Sequence, residues 1–238
     1  MWSRLTSRIS ITTIDAVLAR ASDLIASSQS DSSITFGKDF FEDGGSTDNN
    51  LHLLQQLHQC LWPQIADIVN LEVPVVDHAS LLIKGAGAPG TALHQDRAYW
   101  VARDPKPTIF SVWIALDDLS EENGGLMLRR DHEVSVDGMS SFNTETVLDH
   151  LYDKDQAGGF PIVIPDDVAE EMKKTMVAVD LAKGEAVAFD SFEAHTTGPN
   201  TTDTPRLAMK IAYSDGKEKK RFVMRTDELE AYSPALSS

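Results

Sequence analysis

His94 and Asp96 stand two residues apart in the stretch Thr91-Ala92-Leu93-His94-Gln95-Asp96-Arg97-Ala98-Tyr99-Trp100. On a strand, residues i and i+2 point to the same face. An imidazole and a carboxylate on one face can grip a metal ion, and a second histidine, His195, is the candidate to complete the site. Two imidazoles and one carboxylate suit non-heme Fe(II), because they leave adjacent positions open for a co-substrate and oxygen. A His-x-Asp pair carries little by itself. A chain with 7 histidines can hold one as an ordinary solvated pair.

Two further stretches give the pair its company. His195-Thr196-Thr197-Gly198-Pro199-Asn200 is followed, ten residues after His195, by Arg206. A buried guanidinium there can hold one end of a dicarboxylate through two parallel bonds. Trp113 leads into Ala115-Leu116-Asp117-Asp118-Leu119-Ser120-Glu121-Glu122-Asn123-Gly124-Gly125-Leu126. Together these stretches resemble the phytanoyl-CoA dioxygenase family of Fe(II)/2-oxoglutarate oxygenases, over residues 81–128 and 181–213.

That resemblance implies an all-β core with flanking helices, folded as a double-stranded β-helix (a cupin-like jelly-roll). It implies His94, Asp96 and His195 as the catalytic iron ligands. Arg206 becomes the partner of the distal 2-oxoglutarate carboxylate, Thr197 a hydroxyl donor to it, and Trp113 a wall of the co-substrate pocket. Lys84 either adds a cation there or is a surface lysine at a strand end. The implied co-substrates are 2-oxoglutarate and O2. The implied reaction oxidises a C–H bond of a small-molecule metabolite, foremost by hydroxylation, and yields succinate and CO2. Desaturation, cyclisation or epoxidation by the same centre, or a dioxygenase-shaped protein that only binds, are the alternatives. Family members that halogenate carry a small residue in place of the carboxylate, so Asp96 argues for oxygenation. A cupin-type metal enzyme without 2-oxoglutarate would use more histidines, and it leaves the His195–Arg206 spacing unexplained.

The chain departs from the family where Leu128-Arg129-Arg130-Asp131-His132 replaces the usual Pro-Gly turn. Arg129 is therefore either a contact for an anionic substrate or half of a solvated pair. Tyr99 and Trp100 either wall the substrate pocket or pack the core. His150 is a further substrate candidate, from an insert.

These residues need elements to carry them. Ile11, Ile14, Val17, Leu18, Ala21, Leu24 and Ile25 recur at helical spacing, with Thr12 and Asp15 as a capping box. Residues 29–50 read as loop. Leu54, Leu57, Leu61, Ile65 and Ile68 mark a second helix, which Pro63 should kink or split. Residues 1–75 thus form a helical flank, and 76–225 a core of about eight short strands. The strands are expected at 78–84, 108–119, 126–130, 175–181, 185–189, from 196, at 206–213 and at 221–224. Residues 133–174 interrupt them with two weak helical patches, 146–152 and 166–173. An insert of that length reads as a lid.

Length and composition fit one domain spanning all 238 residues, with 42% hydrophobic residues for its core. The net charge of -16 opposes binding to nucleic acid or anionic lipid. The one basic run, Lys217, Lys219, Lys220, Arg221 and Arg225, reads as a lysine-protected edge strand. No apolar run is long enough to span a bilayer. The Arg/Ser-rich start is too weak a signal for a transit peptide. Cys60 is the single cysteine, which excludes an intrachain disulfide and suits the reducing cytoplasm. Oligomeric state is not legible.

Overall fold

The computed structural model describes residues 1–28, 34–37, 47–69, 71, 73–100, 108–141, 147–155, 161–216 and 224–232. The basic run at 217–221 lies outside them. Within them two antiparallel sheets face each other. The larger orders its strands as β1 (Trp2–Arg4), β10 (Ala186–Asp190), β5 (Ile109–Ala115), β12 (Arg206–Ser214), β3 (Val75–Lys84) and β13 (Met224–Arg225), with β2 (Ile34–Gly37) also paired to β3. The smaller runs β4 (His94–Gln95), β11 (Ala194–Thr197), β6 (Leu126–Arg129) and β9 (Met176–Ala178). This is the double-stranded β-helix.

The faces of the larger sheet are set by strand alternation. On β12, Met209, Ile211 and Tyr213 join a core with Val76, Ala79, Leu81 and Ile83 of β3 and with Leu54, Leu57, Leu61 and Ile65 of α3 (Thr47–Val69). The opposite face belongs to the space between the sheets. Ala208, Leu82, Trp113 and Phe189 there meet Leu126 and Leu128 of the smaller sheet. Cross-strand pairs set Arg206 beside Lys84, Ala208 beside Leu82 and Lys210 beside Ser80. The register shifts only between Ala212 and Tyr213, where Ala212 pairs His78, Tyr213 pairs Val76, and Asp77 is passed over.

The helical flank differs in detail from its sequence reading. The first stripe is two helices, α1 (Ile11–Arg20) and α2 (Ser22–Ser28), broken at Ala21. Ser10, not Thr12, caps α1, its side chain accepting from the Thr13 N–H. α3 runs through Pro63 without splitting. Buried Leu54, Leu57, Leu61 and Ile65 lie on both sides of the proline, and their packing outweighs the lost helical bond. β2 arises inside the expected loop by pairing with β3. Trp2 anchors β1, a strand the sequence reading did not foresee: it is 1% exposed, and its indole donates to the Arg129 carbonyl at 2.7 Å.

The insert also departs from expectation. Residues 147–150 are not helical, and β7 (Leu151–Tyr152) pairs with β8 (Ile162–Val163) where a helix was expected. Residues 142–146 and 156–160 are outside the description. The expected helix at 166–173 is α4 (Asp166–Lys173). Its Ala169 and Met172 pack on Leu93, Ala194 and Met127, the outer face of the smaller sheet. The last helix, α5 (Thr226–Ala231), was not foreseen. No helix among the described residues is long and apolar enough to cross a membrane.

Candidate metal centre

β4 and β11 bring the two histidines together. Their register sets His94 opposite His195, with ring centroids 4.3 Å apart. Asp96 does not lie on the strand: β4 ends at Gln95, and Asp96 opens a 3-10 turn over Asp96–Trp100. Even so, one donor atom from each of His94, Asp96 and His195 lies within 4.8 Å of the others, and all three residues are buried. Asp96 Oδ1 is 4.0 Å from His94 Nε2 and 3.7 Å from His195 Nε2.

The imidazoles are prepared as ligands. His94 Nδ1 lies 2.9 Å from the Ala92 carbonyl oxygen, and His195 Nδ1 lies 2.9 Å from that of Glu193. A carbonyl only accepts, so each Nδ1 holds the proton and each Nε2 keeps its lone pair. Burial, with His195 beside it, lowers His94 to about 3, and burial likewise lowers His195. Both rings are neutral at pH 7. Burial alone would raise Asp96, but the Lys210 ammonium and the two imidazoles hold it far below the ordinary carboxylate range. Its Oδ2 accepts from Ser111 Oγ at 2.9 Å. Lys210 Nζ reaches Oδ1 at 2.8 Å and Oδ2 at 2.9 Å. Sequence reading missed Ser111 and Lys210. Two neutral nitrogens and one anionic oxygen are a donor set for a divalent metal with open positions.

A second cluster lies along the same face of β12. Arg206 is fully buried, its Nη2 donates to the Gly124 carbonyl at 3.1 Å, and its guanidinium lies 5.5 Å from the Trp113 ring centre. Arg206 Nε and Nη1 and Trp113 Nε1 are buried without a hydrogen-bond partner in the protein. Buried donors left so are costly unless an acceptor arrives. Lys84 is no surface lysine: it is 0% exposed, its Nζ donates to Thr197 Oγ1 at 2.7 Å, and it also meets the carbonyls of Gly198 and Pro89. Burial, and then the neighbouring Arg206, lowers Lys84 to about 7. Thr91 Oγ1 is 3.0 Å from Thr197 Oγ1 and accepts from the Thr197 N–H. Two adjacent cations, an indole N–H and two hydroxyls make a pocket suited to a carboxylate.

The remaining candidates are distributed differently. Tyr99 sets an edge against His94, ring centroids 5.9 Å apart, and packs with Ile109 and Ala212. The side chain of Trp100 lies outside the description. Arg129 sits on the outer face of the smaller sheet, and His150 meets the backbone of β4, its edge strand. Arg129 pairs with Asp131 at 2.7 Å and lines a cavity of about 320 Å³ with Gln95, His132, Leu148, Met172, Phe192 and Ala194. His150 Nε2 accepts from the Gln95 N–H and its Nδ1 donates to the Leu148 carbonyl. Gln95 and Ala194 point away from the side taken by His94 and His195, so this cavity is behind the metal strands. Of the described part of the 133–174 insert, Leu148, Ile164, Ala169 and Met172 back those strands too, whereas Met139 packs in the helical core and the Ile162 carbonyl accepts from the Tyr99 hydroxyl at 3.4 Å.

Comparison with known proteins agrees with this geometry. The family model for phytanoyl-CoA dioxygenase matches residues 9–208. No curated protein sequence matches the chain. Among solved structures it is similar to AviO1 from Streptomyces viridochromogenes Tue57, at 21% identity and a TM-score of 0.58 over 91% of this chain and 90% of that one. It is similar to the epimerase SnoN in complex with Fe3+, alpha ketoglutarate and nogalamycin RO, at 20% identity and a TM-score of 0.64, covering 90% and 79%. It is also similar to EvdO2 from Micromonospora carbonacea var. aurantiaca complexed with 2-oxoglutarate, at 20% identity and a TM-score of 0.59, covering 88% and 84%. At such identities the likeness speaks for the fold.

Proposed function

Because this chain belongs to the phytanoyl-CoA dioxygenase family, we propose that it is an Fe(II)- and 2-oxoglutarate-dependent dioxygenase that hydroxylates a C–H bond of a small-molecule metabolite. One observation carries the reading. The buried His94–Asp96–His195 cluster and the partnerless donors of Arg206 and Trp113 line one space between the sheets.

The residues fit both groups. Nε2 of each histidine and Oδ1 of Asp96 would hold Fe(II), and the orphaned donors of Arg206 and Trp113 are those a bound carboxylate would satisfy. When bound, the iron supplies the oxidative decarboxylation of 2-oxoglutarate by O2, to succinate and CO2, and the oxidation of the substrate. The chain does the rest. Arg206 and Lys84 take the distal carboxylate, with Thr197 Oγ1 beside them, and Trp113 walls the pocket. The backbone carbonyls of Ala92 and Glu193 keep both imidazoles in the ligating tautomer. Burial of the three ligands excludes bulk water from the reacting centre.

Anaerobic titration of the protein with Fe(II) and 2-oxoglutarate tests this, since the chelate absorbs visible light. A band that saturates, followed by succinate release on admitting air with substrate, is the expected result. A folded protein that gives no band would sink the proposal. Asp96→Ala should lose both signals, and wild-type turnover in that variant would refute the ligand assignment.

A further inference from the structure

We propose that Lys210 is a positioning residue that tunes the metal centre: its charge, held against Asp96, keeps bound iron ferrous. The inference rests on the dioxygenase reading above, through its ligand assignment, and concerns a residue that touches a ligand rather than the metal.

Geometry comes first. β12 lies between β5 and β3, with Lys210 opposite Trp113 on one side and Ser80 on the other, so its backbone is fixed from both. Lys210 Nζ donates to Asp96 Oδ1 at 2.8 Å and to Oδ2 at 2.9 Å. Oδ1 is also the oxygen turned to His94 Nε2 and His195 Nε2, at 4.0 and 3.7 Å. A metal held by those two nitrogens takes Oδ1. Oδ2 accepts from the Ser111 hydroxyl at 2.9 Å as well as from the ammonium. With two donors on it, Oδ2 is the oxygen left to the protein. Lys210 therefore remains on the same carboxylate as the metal.

Charge gives the consequence. The side chains of His94, Asp96 and His195 are 3–4% exposed and that of Lys210 13%, so solvent screens these charges little. The imidazoles are neutral, and Asp96 supplies the one negative charge of the ligand set. Lys210 cancels it. Ser111 alone could orient the carboxylate, so what the lysine adds is the charge. A fixed positive charge beside the site opposes Fe(III) more than Fe(II), because the ion facing it carries three charges rather than two. Loss of one electron from Fe(II) to O2, which leaves Fe(III) and superoxide, is thereby disfavoured. The proposed reaction starts from Fe(II), so Lys210 protects the loaded protein while it waits for substrate.

The test loads wild-type protein and variants anaerobically with Fe(II) and reads the Fe(III)/Fe(II) potential by mediator titration of the ferric EPR signal. Lys210→Gln removes the charge and keeps an N–H donor for Oδ2. Its Fe(III) binding should gain about tenfold or more over its Fe(II) binding, which is a potential lower by about 59 mV or more. Lys210→Arg should hold the wild-type potential. Ser111→Ala, which loses a donor but no charge, should move it less than Lys210→Gln does. Left in air without 2-oxoglutarate, Lys210→Gln should build up the ferric signal faster than wild type, and Lys210→Arg should not. A Lys210→Gln potential equal to wild type would overturn the proposal, as would an equal fall in Lys210→Arg. So would a Lys210→Gln protein that fails to fold or takes up no iron, since the lysine would then be structural. Wild-type protein that binds no Fe(II) would instead reject the ligand assignment.

Discussion

Lys84 is a lysine whose charge the fold has put within reach of neutral pH. Its value falls to about 7, from burial first and Arg206 second. Between roughly pH 7 and 10.5 the unfolded chain therefore holds this proton and the folded chain does not, so stability rises with pH across that window. Carboxylate binding has the opposite demand, because it needs the ammonium. The 2-oxoglutarate affinity should weaken as pH rises above 7, and binding at pH 8 should take up a proton. Calorimetry in buffers of different ionisation enthalpy would register that uptake. Lys84→Met should remove both effects; a pH dependence unchanged in that variant would assign them elsewhere. Arg206→Ala should raise the 2-oxoglutarate Kd by roughly 10- to 100-fold, the ~1.5–3 kcal/mol of a hydrogen bond to a charged group. His94, Asp96, His195 and Arg206 could be singled out through the family resemblance of the stretches around them, and the structure brings the first three together. Ser111 and Lys210 could not, since a lone serine or lysine on a strand gives no sign of what it faces. The available clue was parity: Arg206 and Lys210 are an even number of residues apart, and so share a face.

Elements bring these side chains to their places through a few tight approaches. Gly124 has φ +77, and a Cβ there would lie 2.7 Å from both the Gly198 carbonyl oxygen and Lys84 Cδ. Gly87 has a similar φ of +70 but nothing within 4 Å of that position. Gly87→Ala should therefore cost only about 1–2 kcal/mol of left-handed strain. Gly124→Ala should cost more, by roughly 1–3 kcal/mol of overpacking, and should also weaken 2-oxoglutarate binding by pushing Lys84. Melting curves of the two variants, with and without 2-oxoglutarate, separate strain from site damage. The strands around this turn were legible in outline because apolar alternation sets their faces. The helical flank was less so. A hydrophobic stripe does not reveal the break at Ala21, and Pro63 is tolerated because α3 is held by the sheet beneath it. β1 and β2 form by pairing with distant strands, which no local pattern encodes.

The molecule as a whole is acidic outside and cationic where 2-oxoglutarate is proposed to bind. With a net charge of -16, the approach of a dianion is opposed at distance and favoured only within the pocket. Added salt should raise the association rate of 2-oxoglutarate by screening the far field, while weakening the bound state less, because Arg206 and Lys84 are buried. Stopped-flow measurement of the chelate band between about 0.01 and 0.15 M salt would show it, and a rate that falls with salt would contradict it. At this scale the sheet architecture was readable from the number and spacing of short apolar runs. The insert was read as a lid from its length; among its described residues α4 buries Ala169 and Met172 behind the metal strands, while the Ile162 carbonyl accepts from the Tyr99 hydroxyl beside His94.

The irregularity opposite Ala212 also divides the chain into two kinds of segment. From Lys84 to His78 and from Arg206 to Ala212 the two strands stay in step, and every second residue looks inward. Removing one residue between Arg206 and Lys210 would turn one of them into the helical core. Past Ala212 the pairing has already skipped Asp77, and a further slip moves no functional group. The fold thus contains a stretch in which residues are counted, next to one in which they are only filled.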